Sequence, residues 1–312
     1  MRAFLFPGQG SQSVGMGAAL AEASQAARDV FGEVDEALGQ NLFKLMREGP
    51  DEDLKLTENA QPAIMAHALA VFRALTREGG VALDKAAQFV AGHSLGEYSA
   101  LAAAGSFDLP TTARLLKLRG QAMQEAVPVG EGAMAALLGA DLQLAQKIAA
   151  AAAENQVCAV ANDNDPGQVV LSGHKGAIDR AIAIAKEMGA KRAVPLPVSA
   201  PFHCPLMKPA ADAMAEALGQ TDIAAPAVPL YANVTAQPVA DPSTIGKQLV
   251  EQVTGMVRWR ESVANMFASG VEEYVELGGK VLGPMVKRIA PDAKVTSIVT
   301  IYDIEAIAKE LA

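Results

Sequence analysis

Two rhythms of apolar residues run along the chain. Ala3 to Phe6 is unbroken, stops at Pro7-Gly8 and opens onto the polar, glycine-rich Gln9-Gly10-Ser11-Gln12, the pattern of a buried strand emptying into a tight loop. Alanine-rich helical patterns follow to about residue 79, and a second apolar run, Ala86 to Ala91, leads through Gly92-His93-Ser94-Leu95-Gly96 into the helix-forming Glu97 to Ala104. Strands that are apolar throughout and separated by helices predict a mostly parallel sheet covered on both faces.

The middle third alternates differently. Apolar runs at 133–139, 157–161, 168–171 and 193–198, with helical patterns at 141–154 and 175–188 and a turn at Asn164-Asp165-Pro166-Gly167, read as β-α-β-β-α-β, the split arrangement of ferredoxin-like folds. The expected class is therefore α/β: a large subdomain over residues 1–128 and 198–312 with a mostly parallel sheet, and an inserted ferredoxin-like small subdomain over residues 129–197. The segments 125–132 and 195–197, each carrying proline, are the expected linkers. A cleft between two such bodies is a common place for a substrate.

Composition narrows the chemistry. The chain has 312 residues, 51% of them hydrophobic, enough for a sizeable core. Its net charge of −9 gives no global attraction for nucleic acid or anionic lipid, so any anionic partner must meet a local patch. Two cysteines, Cys158 and Cys204, at no metal-binding spacing, fit a reduced compartment and argue against a thiolate metal site. With apolar helical stretches broken by His67, Arg73 and Glu154, the expectation is a cytoplasmic protein without a membrane span or a metal.

The Gly92 to Gly96 segment fits GxSxG, in which small flanking residues permit a strained turn that lifts the serine hydroxyl above a sheet, with a helix N-terminus beside the developing oxyanion. The plainer alternative is a glycine-rich turn with a helix-capping serine. A serine nucleophile needs a base, and four histidines are available. His67 lies in an apolar helical pattern and reads as packed; His174 opens a helix and reads as a cap; His93 adjoins Ser94 around a sharp turn and suits a secondary role. His203 remains, in Ser199-Ala200-Pro201-Phe202-His203-Cys204-Pro205, where prolines fix the backbone on both sides. Between serine and histidine stand Asp108, Asp141, Asp163, Asp165 and Asp179; none is favoured as a third member, which suggests a dyad oriented by an amide or a main-chain carbonyl.

Arg119 is the most informative charge. With Leu115 and Leu116 a turn behind it and Ala122 and Met123 a turn ahead, it projects from the apolar face of its helix. A buried guanidinium needs an anion, and on the residues alone an internal carboxylate is favoured over a substrate's. Gly8 to Gln12 is no nucleotide loop, because Ser13 stands where GxGxxG needs glycine and no Walker lysine follows; its better use is to present main-chain N–H groups beside the serine turn.

These pieces, with Arg119-Gly120, Asn162, Pro166-Gly167-Gln168, Ala200-Pro201-Phe202-His203 and Glu276-Leu277-Gly278, resemble the malonyl-CoA:acyl carrier protein transacylases of fatty acid synthesis and the related acyltransferase domains of polyketide synthases. The resemblance covers nearly the whole chain and implies an α/β-hydrolase-like large subdomain. It implies Ser94 as the acylated nucleophile, His203 as its base, the N–H groups of Gln9 and Leu95 as the oxyanion hole, and the main-chain carbonyl of Gln252 as the orienter of His203. Arg119 would clamp the malonyl carboxylate, against the internal partner favoured above, with His93, Phe202, Met123 and Asn162 completing the substrate site. Malonyl-CoA and acyl carrier protein are then the partners, the phosphopantetheine arriving on the carrier and no cofactor being held. The acidic carrier would meet a basic patch at Lys186, Lys191 and Arg192, or at Lys287 and Arg288, unless these are ordinary solvated charges. A serine thioesterase or esterase and a silent carrier-binding scaffold are the competing readings. Two departures from the family pattern are Cys204, where serine is usual, and a Glu276 to Lys280 loop that looks one residue short.

Overall fold

The computed structural model describes residues 1–198 and 200–311; Ser199, at the head of the proline-flanked histidine loop, and Ala312 lie outside the described residues. Two sheets form among those residues. The strands, in chain order, are β1 Arg2–Phe6, β2 Phe89–Gly92, β3 Gly132–Leu138, β4 Cys158–Asp165, β5 Gln168–His174, β6 Arg192–Pro195, β7 Leu230–Tyr231, β8 Pro238–Val239, β9 Glu273–Leu277 and β10 Lys294–Ile298. The larger sheet has the order β10-β9-β1-β2-β7-β8 and is parallel except for the edge hairpin β7-β8. Helices cover both of its faces, which is why Ala3 to Phe6 of β1 are fully buried and the strand is apolar throughout.

The smaller sheet has the order β4-β5-β3-β6, antiparallel at every pairing, with the helices Leu142–Ala153 and Lys175–Ala185 packed on it around a separate apolar core. This is the predicted β-α-β-β-α-β unit. Some boundaries move. The second strand starts at Phe89 because Leu83–Ala86 closes into a short helix. Asn164 and Asp165 belong to β4 rather than to the turn, and β6 ends at Pro195 instead of running to Val198.

The register of the larger sheet creates the site. Phe6 of β1 lies beside Gly92 of β2, so the loops leaving the carboxyl ends of these central strands emerge side by side. A Cβ on Gly96 would come within 2.2 Å of the Phe6 carbonyl oxygen, so the serine turn is clamped onto the neighbouring strand's exit. The helices Thr57–Arg77 and Leu109–Glu125 make a similar close approach at Gly120, where a Cβ would lie 2.6 Å from the Thr57 carbonyl oxygen. Backbone contact there brings Arg119 of one helix against Gln61 of the other.

The two sheets are joined through β4. Asp163 and Asp165, both buried, pair with Arg260 (2.8 Å) and Arg288 (2.7 Å) from helices of the larger body. An isolated parallel bridge between Asn162 and Val257 adds main-chain continuity.

Candidate active site

Ser94 sits between β2 and the helix Gly96–Ala103 with φ of 53°, the left-handed backbone that the GxSxG turn requires. A Cβ on Gly92 would overlap the Gly96 carbonyl oxygen at 1.9 Å, which leaves glycine as the residue the turn accepts there. The Ser94 N–H donates to Asn233 Oδ1 at 2.8 Å, and Asn233 Nδ2 donates to the Gly92 carbonyl at 2.7 Å, so one amide from beyond β7 pins both ends of the turn. The capping alternative for Ser94 is excluded, since the helix carries no side-chain cap.

The Ser94 hydroxyl lies 2.7 Å from His203 Nε2, and His203 Nδ1 lies 2.9 Å from the Gln252 carbonyl oxygen. A carbonyl only accepts, so Nδ1 carries the hydrogen and Nε2 is left as the acceptor for the serine proton. Gln252 stands in the last turn of the helix Pro242–Thr254, where carbonyls lack intrahelical donors. Burial, the Arg119 charge and, less strongly, His93 push the His203 pKa down, opposed by the bond to Gln252, to about 3, so the ring is neutral at physiological pH.

None of the five aspartates between serine and histidine reaches this ring. Asp108 and Asp141 cap helices, Asp163 and Asp165 hold the inter-sheet ion pairs, and Asp179 pairs with Lys175. His67 is packed, its ring bonded to the Gly278 carbonyl at 3.1 Å and its pKa lowered by burial to about 4. His174 precedes its helix but does not cap it; its Nδ1 accepts the Val157 N–H instead, because the β4–β5 register presents that donor. His93 turns away from the serine toward Asn164 Oδ1 (2.8 Å) and packs near Trp259.

Arg119 corrects an expectation. Its side chain is fully buried, yet no carboxylate lies within ion-pair distance among the described residues. Nη1 donates to Gln61 Oε1 (2.7 Å) and Nη2 to Gln252 Oε1 (2.8 Å) and to Ser94 Oγ (3.2 Å), while Nε has no partner among the described residues. Amide oxygens orient the guanidinium without neutralising it. A buried cation left in this state costs several kcal/mol, a cost that an anion entering the site removes.

These groups open on a cavity of about 460 Å³ lined by Gln9, His93, Ser94, Leu95, Arg119, Met123, Asn162, Phe202 and His203, so the residues singled out in the sequence converge, and Gln252 stands directly behind them. The cavity lies between the sheets, with Met134 of β3 and Leu196 to Val198 closing the side of the smaller one. Leu95 begins the helix after the serine, where N–H groups have no intrahelical acceptor. No group of three or more metal-ligating side chains occurs, and no helix is long and apolar enough to cross a membrane, among the described residues.

Four contributors escaped the sequence reading: Gln61, Asn233, Asn164 and Glu97. The first three are neutral amides that signal nothing in one dimension. Glu97 carries a signal, a charge inside an otherwise apolar helix start, and it is fully buried. Both proposed basic patches are exposed: Lys186, Lys191 and Arg192 on the smaller body, and Lys287 and Arg288 on the larger one, where Arg288 also pairs with Asp165 and Lys287 bonds to the Pro291 and Ala293 carbonyls.

A serine elbow with a carbonyl-oriented histidine and a buried arginine, set between a parallel sheet and a ferredoxin-like one, describes an acyl-transferring class of protein. The acyl transferase domain family model matches residues 3–280, and the chain belongs to that family. It is similar to the malonyl CoA-acyl carrier protein transacylase of Escherichia coli K12, 48% identical over 288 residues that cover 92% of each chain. Among solved structures it resembles the acyl-carrier-protein-S-malonyltransferase of Bartonella henselae, with TM-score 0.97, 52% identity and 99% of both chains covered. A second is a malonyl-transacylase in complex with its type II PKS acyl-carrier protein, with TM-score 0.95, 39% identity and 99% of both chains covered.

Proposed function

We propose that the protein moves a malonyl group from malonyl-CoA to the phosphopantetheine thiol of acyl carrier protein, in fatty acid synthesis, through an ester on Ser94. The observation that carries this reading is the convergence on one oxygen: Ser94 Oγ is 2.7 Å from a histidine nitrogen able to accept its proton and 3.2 Å from an arginine that has no carboxylate partner among the described residues.

In the first half-reaction His203 Nε2 takes the serine proton as Oγ attacks the thioester carbonyl. The oxyanion is received by the N–H groups of Gln9 and Leu95, each contributing about 3 kcal/mol. Collapse breaks the carbon–sulfur bond, and the departing CoA sulfur takes the proton from His203. In the second, His203 takes the proton of the carrier's thiol, the sulfur attacks the ester, and Ser94 leaves with that proton. Arg119 holds the far carboxylate of the acyl group. This also helps the base, because a bound anion offsets the positive charge that depresses His203. Phe202 and Met123, both buried against the cavity, limit the bulk at the acyl α-carbon, while Asn162 and His93 complete its wall.

The small subdomain is read as residues 129–197, inserted between 1–128 and 198–312, and Lys186, Lys191 and Arg192 on it are the basic groups offered to an acidic carrier. Malonyl-CoA is a substrate, and the pantetheine belongs to the partner. The cytoplasm is the compartment that fits free Cys158 and Cys204. A polyketide carrier is the alternative acceptor, on the strength of the malonyl-transacylase solved with its type II PKS carrier.

The test is intact-mass spectrometry after brief incubation with malonyl-CoA. A malonyl adduct should form on the wild type, be absent in Ser94→Ala, and disappear when carrier protein is added. An undiminished adduct in Ser94→Ala would remove the serine from the mechanism.

A further inference from the structure

Glu97 stands three residues after the nucleophile, fully buried, and the mechanism above gives it no task. Its Oε2 accepts from Gln252 Nε2 at 2.5 Å and from the Asn233 N–H at 3.4 Å. The same Gln252 amide donates to the Ser94 carbonyl (3.0 Å), and its Oε1 accepts from Arg119 Nη2 (2.8 Å). The neighbours of Nε2, which include Asn233 Oδ1 at 3.5 Å, are all acceptors and the neighbour of Oε1 is a donor, so the amide has one satisfied orientation. Gln252 is therefore an insulated link with a carboxylate on one side and the guanidinium on the other.

We propose that Glu97 is a positioning residue that sets selectivity for acidic acyl groups: through Gln252 it acts as the remote counter-charge of Arg119, competing electrostatically with the acyl carboxylate for the same cation. The inference rests on the transacylase reading above. Ionised Glu97 steadies the guanidinium while the site is empty, yet the intervening amide keeps it from occupying the face that opens on the cavity. When an acyl carboxylate arrives, two anions share one cation, and the second is held less tightly than if Glu97 were neutral.

Titration makes this measurable. Burial raises the Glu97 pKa to about 7, against the opposing effects of Gln252, Asn233 and Arg119. Around it, Arg119 comes from the helix Leu109–Glu125 and stays charged; Tyr98, on its own helix, is pushed well above its ordinary pKa by burial. His203 and His93 across the turn and His67 from the helix Thr57–Arg77 are all lowered by burial, and Arg2 of β1 is paired with Glu273 at the far end of the strand. Near neutral pH, Glu97 is the group among them that changes charge.

The experiment measures single-turnover acylation of Ser94 by malonyl-CoA and by acetyl-CoA between about pH 6 and 8.5, read by intact mass, and takes the ratio of the two kcat/KM values. Both donors share the CoA moiety and the base, so the ratio isolates the carboxylate. In the wild type it should fall about fivefold as pH rises through 7; in Glu97→Gln, isosteric and still able to accept from Gln252, it should stay flat and lie about fivefold above the wild type at pH 8. A wild-type ratio independent of pH, or a Glu97→Gln ratio at or below the wild type's at pH 8, overturns the inference. The wild-type profile stands as a test even if the variant does not fold. A wild type that takes no malonyl group refutes the transacylase reading instead, so the two failures are distinct.

Discussion

Buried charge is handled in opposite ways at the seam between the two sheets and in the cavity a short distance away. At the seam, Asp163 and Asp165 each face an arginine of the larger body, Arg260 and Arg288, and the pairing is complete. In the cavity Arg119 is enclosed as fully, yet its neighbours are the amide oxygens of Gln61 and Gln252. Closed ion pairs hold two bodies together and have no capacity left for a ligand. An arginine aimed by neutral dipoles retains its charge for whatever enters. That difference separates a structural charge from a binding one more sharply than burial does, because the Asp163 and Asp165 carboxylates are as deeply buried as the Arg119 guanidinium.

Breaking the cavity side of the contrast should have the largest effect. Arg119→Ala is expected to cut malonyl loading of Ser94 about 10³-fold while acetyl loading holds or rises, as measured with the two CoA donors; unchanged selectivity would show that the guanidinium does not read the acyl group. At the seam the outcome should be nearly the reverse. Arg260→Met strands the buried Asp163 carboxylate, and with Arg260 itself a third exposed the loss should be about 2 kcal/mol in denaturant unfolding, with loading per folded molecule preserved. The smallest effect, a baseline for both, is expected at Asp141, which caps the helix Leu142–Ala153 through the Leu144 N–H: Asp141→Ala should cost about 1 kcal/mol of stability and leave donor selectivity untouched.

The legible parts of the molecule were those whose physics is local. Apolar runs bounded by Pro7-Gly8 and by Gly92 to Gly96 gave the two central strands, and the strand-turn-helix context of Ser94 gave the elbow with its positive φ. His203 emerged by elimination, and its lack of an acidic partner was readable because no aspartate in the interval stood out. The long-range polar partners were not readable. Gln61, Gln252 and Arg119 meet across 58 and 133 residues of sequence, and nothing in an amide's neighbours announces that it will hold a cation. For the same reason an internal ion pair was the favoured partner for Arg119: sequence shows that a buried cation needs company, but not whether that company is charged. His174 failed as a cap because a β4–β5 pairing supplied a competing donor at Val157.

The acceptor that fixes the tautomer of His203 belongs to the main chain of Gln252, in the last turn of a helix. Every amino acid carries that oxygen. Changing the side chain at 252 rewires the arginine and the elbow but does not delete the group on which the base depends, so the proton inventory of the dyad is written in where a helix stops. Shifting that stop, by lengthening the helix past Gly255, would rob the imidazole of its anchor without altering a single catalytic side chain.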